Sequence, residues 1–123
     1  MHEASLCDAL FDQVDQHLAA HPGAVARVVR VAIGELAGVE PELFTIAFEA
    51  LRGERHPGAV LELVHVPARW RCPGCGVERA HRAGGGGPLA CVACGEPLVL
   101  AAGGELTLER LELELCRREA DDV

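Results

Sequence analysis

Cys72-Pro73-Gly74-Cys75-Gly76 and Cys91-Val92-Ala93-Cys94-Gly95 are two Cys-x-x-Cys-Gly knuckles, with fifteen residues between Cys75 and Cys91. This spacing reads as a four-thiolate zinc site. In each knuckle the first cysteine opens a tight turn and the second closes it. The glycine that follows can adopt the positive φ that lets backbone N–H groups approach the sulfurs. Residues 72–95 hold few large apolar side chains, so burial alone cannot fold the segment and the metal takes the place of a core. A rubredoxin-like iron site and a pair of disulfides are the alternatives; Trp70 is the only aromatic nearby to cover an iron centre. A closed zinc site of four cysteines leaves no open coordination position, so its expected role is structural.

Working outward from the knuckles, the 123 residues suffice for one small domain and one metal-held module, not for two ordinary domains. The net charge of −8 weighs against a nucleic-acid or anionic-membrane partner for the whole chain. Residues 69–97 carry Arg69, Arg71, Arg79 and Arg82 against Glu78 and Glu96, a local +2 that leaves −10 on the remainder. Thiolate ligands require a reducing compartment, no basic and apolar leader opens the chain, and no apolar run approaches the ~18 residues of a membrane span. The expectation is a cytoplasmic protein.

Before the knuckles, Leu6, Leu10, Val14 and Leu18 recur at helical spacing, with Ala9 and Phe11 widening the stripe, until His21-Pro22-Gly23 ends it. Ser5 and Asp8 fit a capping box at its start. Val25 to Ile33 is a β-branched run that predicts a strand continuing to Gly34. Pro41, after Glu40, suits a first helical position, and Leu43, Phe44, Ala47, Phe48 and Leu51 form an apolar face that stops at Gly53. After the turn at His56-Pro57-Gly58, Ala59 to Val66 predicts a second strand closed by Pro67. Between the knuckles, Gly84 to Gly87 with Pro88 reads as a flexible tip.

Beyond Gly103-Gly104, the segment from Glu105 to Cys116 alternates but changes phase. Leu106 and Leu108 are even, whereas Leu111, Leu113 and Leu115 are odd, which requires an extra residue at Glu109-Arg110. A long strand therefore returns from the cysteine module to pair with the first sheet. The expected architecture is α+β, a small mixed β-sheet with two helices and an inserted zinc-ribbon module. Residues 1–68 together with 105–123 form one discontinuous domain, and 69–104 form the ribbon.

The N-terminus is where a second metal could bind. The Met1 amine and the His2 amide nitrogen can close a five-membered chelate ring, and the His2 amide and Nδ1 a six-membered one. Such nitrogens suit nickel(II) or copper(II), with a fourth ligand from the amide or carboxylate of Glu3. The plainer reading of His2 is a solvated terminal side chain, and of Glu3 a favourable charge at a helix start.

Met1-His2-Glu3-Ala4-Ser5-Leu6, the run Val31 to Pro41, the Phe44–Glu49 helix, both knuckles and Gly104-Glu105-Leu106 to Glu114 together resemble the HypA/HybF family of hydrogenase nickel-insertion proteins. The likeness runs over essentially the whole chain. It implies a nickel metallochaperone, with nickel as cargo at Met1 (through its amine), His2 and Glu3, and structural zinc at Cys72, Cys75, Cys91 and Cys94. It further implies delivery to the [NiFe]-hydrogenase large subunit alongside a nickel-handling maturation GTPase, and leaves supply of urease maturation proteins open. A terminal chelate is accessible to an incoming ligand, which favours release by ligand exchange. Nickel affinity is expected to fall as the imidazole protonates, around pH ~6.5. Glu40 offers a carboxylate if the fold brings it beside the start of the first helix.

His17, His21, His56 and His65 read as surface or turn residues, His81 as a weak candidate ligand, and Cys7 and Cys116 as small buried hydrophobes. No nucleophile arrangement or phosphate loop is present in local sequence, and Gly84 to Gly87 lacks the Lys-Ser/Thr of a phosphate loop, so no enzyme activity is expected. A zinc-ribbon nucleic-acid binder or a docking adaptor is the alternative, supported by the ribbon arginines and opposed by the overall charge.

Overall fold

A computed structural model describes residues 2–80 and 90–115; the Met1 amine, His81, the Gly84–Gly87 tip with Pro88, and Cys116 lie outside them. Along the chain the elements are α1 (His2–Ala19), β1 (Ala24–Gly34), α2 (Pro41–Arg55), β2 (Val60–Val66), β3 (Arg69–Arg71), β4 (Glu78–Ala80), β5 (Val99–Ala102) and β6 (Leu106–Leu115). They make two three-stranded sheets, ordered β2-β1-β6 and β4-β3-β5. The architecture is α+β, with the small second sheet inserted between β2 and β6.

The first sheet is mixed because β1 pairs parallel with β2 and antiparallel with β6. A parallel neighbour needs a crossover, and α2 supplies it. Ala26, Val29, Val31 and Ile33 turn one face of β1 into the core, where Cys7, Leu10, Phe11 and Val14 of α1 and Phe44 and Phe48 of α2 cover it. Phe11 and Phe48 meet with ring centroids 5.1 Å apart, and all three phenylalanines are fully buried. The core is thus aromatic where the helices meet and β-branched on the sheet, as strand and helix preferences favour.

The phase change in the last strand is a bulge at Glu109: Arg30 pairs with Arg110 and Val31 with Leu108. A second irregularity offsets it, since Ala26 pairs with Leu113 and Val28 with Glu112, leaving Arg27 as the extra residue of β1. Between them these insertions keep Leu106, Leu108, Leu111 and Leu113 packed on the core.

Four details differ from expectation. Helix α1 already begins at His2, so Ser5 lies inside it and is no N-cap. Ala9 is exposed and Cys7 takes its place in the apolar stripe, its Sγ donating to the Phe44 carbonyl at 3.6 Å and its thiol pushed up to about 11 by burial. Leu43 is half exposed because Phe44 and Phe48, not Leu43, point at α1, and the helix passes through Gly53 to Arg55. That extra length matters: Arg55 reaches Asp8 and Asp12 at 3.0 Å and Asp15 at 2.6 Å, tying α2 to three turns of α1.

The two sheets join where β1 ends. Leu36 N–H donates to the Gly103 carbonyl at 2.8 Å, Glu35 N–H to Val66 at 2.8 Å, and Ala68 N–H to the Glu35 carboxylate at 2.8 Å. A Cβ on Gly34 would lie 2.3 Å from the Gly103 carbonyl group, and Gly103 itself has φ of 88°. Gly34→Ala is therefore expected to destabilise the protein by about 2–3 kcal/mol through overpacking. Gly53→Ala, in helix α2 with nothing near the added methyl, is expected to stabilise it by about 0.5–1 kcal/mol. Urea unfolding of the two variants measures both, and equal effects would contradict this account.

Candidate metal centres

Each knuckle folds the same way from its own backbone. Gly76 N–H donates to the Cys72 carbonyl at 2.8 Å and Cys72 N–H to the Val77 carbonyl at 2.9 Å. In the second knuckle Gly95 N–H donates to Cys91 at 2.7 Å and Cys91 N–H to Glu96 at 2.8 Å. Gly76 and Gly95 hold φ of 80° and 77°, a conformation that disfavours any side chain. Strand β3 leads into the first knuckle, and β5 follows the second.

The turns bring the four sulfurs together. Cys72 and Cys94 lie 3.3 Å apart and Cys75 and Cys91 3.7 Å apart. All four Sγ atoms fall within 4.8 Å of one another, the one such group of three or more metal-ligating side chains among the described residues. Tetrahedral thiolates on zinc stand about 3.7 Å apart for Zn–S near 2.3 Å, so the cluster is sized for that ion. Cys72 and Cys91 are buried and Cys75 and Cys94 exposed, and none of the four is in a disulfide.

Electrostatics divide the set in the same way. The Cys75 N–H, 3.4 Å from the Cys72 sulfur, holds the Cys72 thiol below its ordinary value. The N–H groups of Cys94 and Ala93 bring Cys91 to about 6. The Val77 N–H lowers Cys75 and the Glu96 N–H lowers Cys94, yet the crowding thiols override both, and Cys94 rises to about 12. Four adjacent thiols cannot all ionise unless a cation shares their charge.

Separately, the start of α1 meets the start of α2. The Glu3 carboxylate accepts the Glu40 N–H at 3.2 Å. Glu40 is the N-cap of α2, with Pro41 next and no side-chain cap of its own, so Glu3 satisfies a backbone donor that the helix leaves open. The Glu40 N–H, then Glu3's own N–H, hold the Glu3 carboxyl below the ordinary 4.5, and His2 acts in the same direction. His2 Nδ1 lies 4.0 Å from the Glu3 carboxylate and its side chain is 60% exposed. The fold therefore brings His2, Glu3 and Glu40 to one end.

The remaining sequence candidates scatter. His17, His21 and His65 are exposed on separate elements. His56 is the turn residue expected, as the C-cap of α2, and it is largely covered: its ring packs 5.3 Å from Phe11 and bonds Asp15 at 2.8 Å. Sequence reading assigned no role to Glu35, because the amide that it caps, Ala68, lies 33 residues away.

Comparison with known proteins identifies the family by sequence and by fold. The family model described as "Hydrogenase/urease nickel incorporation, metallochaperone, hypA" matches residues 1–113. A hydrogenase maturation factor HypA from Nitrosospira multiformis is 37% identical over 115 residues, covering 92% of this chain and 97% of that one. One from Cereibacter sphaeroides is 34% identical over 93% of this chain and 100% of the other. Among solved structures, the nickel metallochaperone HypA from Helicobacter pylori superposes with a TM-score of 0.69 at 25% identity, over 92% of this chain and 97% of that one. A second HypA solution structure gives 0.71 at 26%, over 93% and 97%.

The Glu3 bond to Glu40 predicts a measurable protection. Glu3→Ala is expected to speed hydrogen exchange of the Glu40 amide by about tenfold or more. Because the Glu3 carboxyl is held below 4.5, the bond's contribution is present above that pH and is lost as pH falls through the lower folded value. Unchanged exchange at Glu40 in the variant would rule the contact out.

Proposed function

The chain belongs to the HypA family of hydrogenase and urease nickel-incorporation metallochaperones, and from that premise we propose where each metal sits and what is done with it. Nickel(II) is cargo, held by the Met1 amine, the His2 amide and Nδ1, and Glu3. The observation that carries this reading is the placement of Glu3 against the α2 N-cap. It fixes the first turn of α1 while leaving the His2 imidazole exposed, so the chelate is anchored on one side and open to an incoming ligand on the other. Glu40, whose backbone N–H meets Glu3, offers a second carboxylate to the ion during exchange. Zinc(II) occupies Cys72, Cys75, Cys91 and Cys94 as a closed structural site.

The recipient is the [NiFe]-hydrogenase large subunit, reached with a nickel-handling maturation GTPase; urease maturation is a second destination that the family description allows. Residues 1–68 with 105–123 act as the nickel domain and 69–104 as the zinc-ribbon domain. The work is binding and handover, not catalysis, in a reducing cytoplasm where the thiolates survive. No helix among the described residues is long and apolar enough to cross a membrane.

Calorimetric titration of nickel into zinc-loaded protein with a native N-terminus tests the cargo site, beside His2→Ala and a form extended by a few residues before Met1. Tight one-to-one binding lost in both variants is expected; tight binding retained in both would place the cargo elsewhere. Separately, removing zinc with a chelator should collapse the amide dispersion of residues 69–80 and 90–102 while the helical circular dichroism persists. Ribbon signals that survive chelation would show that the module does not need metal.

A further inference from the structure

Strand β1 starts earlier than its parallel neighbour. It pairs with β6 from Ala24 onward, whereas β2 joins it only at Val28, opposite Val60. Carried back, that register would place residues 56–58 opposite residues 24–26. The ladder stops instead, because Pro57 has no N–H to donate and the chain turns there, with Ala59 N–H closing onto the His56 carbonyl at 3.0 Å. The Pro57 carbonyl is taken by Arg52 Nη1. Among the described residues, 24–26 have a strand partner on the β6 edge alone, and a cleft of about 410 Å³ opens between them and residues 55–58, with Leu18 beside it. We infer that this cleft takes an extended segment of a partner protein, about three or four residues long, with an apolar side chain in the cleft and a lysine or arginine next to it.

An open strand edge offers main-chain hydrogen bonds to an added strand, and a pocket beside the edge selects its side chains. Val25, 43% exposed, and Leu18 give this pocket apolar surface. The rim gives the charge. Arg55 and His56 line the cleft, and both are bonded to Asp15, at 2.6 and 2.8 Å. Arg55 also holds Asp8 and Asp12, so three carboxylates meet one guanidinium, and negative charge is in excess whether or not His56 is protonated. Two further arginines reach the turn, and each is already balanced: Arg27 by Glu114 at 3.2 Å and Arg52 by Glu49 at 2.6 Å. The Asp8 and Asp12 side chains are 66% and 68% exposed, so a second cation can reach them without displacing Arg55. Charge then orients the segment while the edge and the cleft supply the contact. Nothing in this assignment depends on where nickel binds.

The probe is the acetylated, amidated peptide Gly-Thr-Val-Thr-Val-Arg-Arg-Gly, titrated into the full zinc-loaded chain without nickel and followed by amide NMR. Shifts are expected at residues 24–26 and 55–58, with slower hydrogen exchange at 24–26. A peptide with glutamate in place of both arginines should bind about tenfold more weakly or worse. Asp8→Asn with Asp12→Asn, both at exposed positions, should weaken the arginine peptide about fivefold and flatten its salt dependence. Shifts that fall elsewhere, no shift at all, or equal affinity for the two peptides overturns the proposal. So does binding that appears only after truncation behind Leu115, which would make residues 116–123 the occupant. Shifts at 24–26 that follow protein concentration without peptide would make the occupant a second copy, and would overturn it too.

Discussion

At the end of β1 two backbones cross with no side chain between them. Gly34 and Gly103 approach so closely that a single methyl group would collide with a peptide, and the hydrogen bonds from Leu36 to Gly103 and from Ala68 to Glu35 close the crossing on either side. The entry strand to the ribbon and the exit strand from it are both fixed at this point. The ribbon could not be inserted into a sheet of three strands without such a crossing, because β2 and β6 flank β1 on opposite edges and the inserted chain must leave one edge and return to the other.

From the crossing, the same strand end feeds residues 35–40 toward α2, where Glu40 meets Glu3. At the N-terminal end of α1 a carboxylate accepts from an open helix donor, and the exposed imidazole of His2 sits beside it. At the far end of the same helix pair, Arg55 gathers Asp8, Asp12 and Asp15 and lies 5.4 Å over the Phe11 ring. Together the two ends fix α2 along α1, which matters because their shared aromatic core is small. Exposed ion pairs individually contribute little, and here three share one guanidinium, so a single side chain is ordered instead of three.

The cysteine cluster is a different kind of stability. Its strands are three or four residues long, and Val77, Val92, Val99 and Leu100 are all exposed. What is buried is Cys72 and Cys91, the two thiols that backbone N–H groups draw toward ionisation. The knuckle backbone is arranged to accept charge at sulfur, which is the property a dication exploits.

Local sequence was enough for both helices, for the strands of the first sheet and for grouping the four cysteines, but it left the short strands β3, β4 and β5 unread. Period-four leucines, a β-branched run, Pro41 after Glu40 and paired Cys-x-x-Cys-Gly turns each act over a few residues, and the single phase change in Leu106 to Leu115 located a bulge within one residue of Glu109. The matching irregularity at Arg27 was not read, because Arg27 interrupts the odd positions of β1 and Arg30 the even ones, so neither phase stands out as the buried one. Ser5 suggested a cap that the fold did not use, since Glu3 and Glu40, 37 residues apart, decide where α1 begins. Leu43 looked like core until the helix pair chose Phe44 and Phe48. Sequence by itself determined which side chains could bind metal and the period of each element, since both are written in neighbouring residues. Only the tertiary structure decided which ends meet, which face of α2 is buried and how the ribbon is held, because those depend on contacts between residues that are distant along the chain.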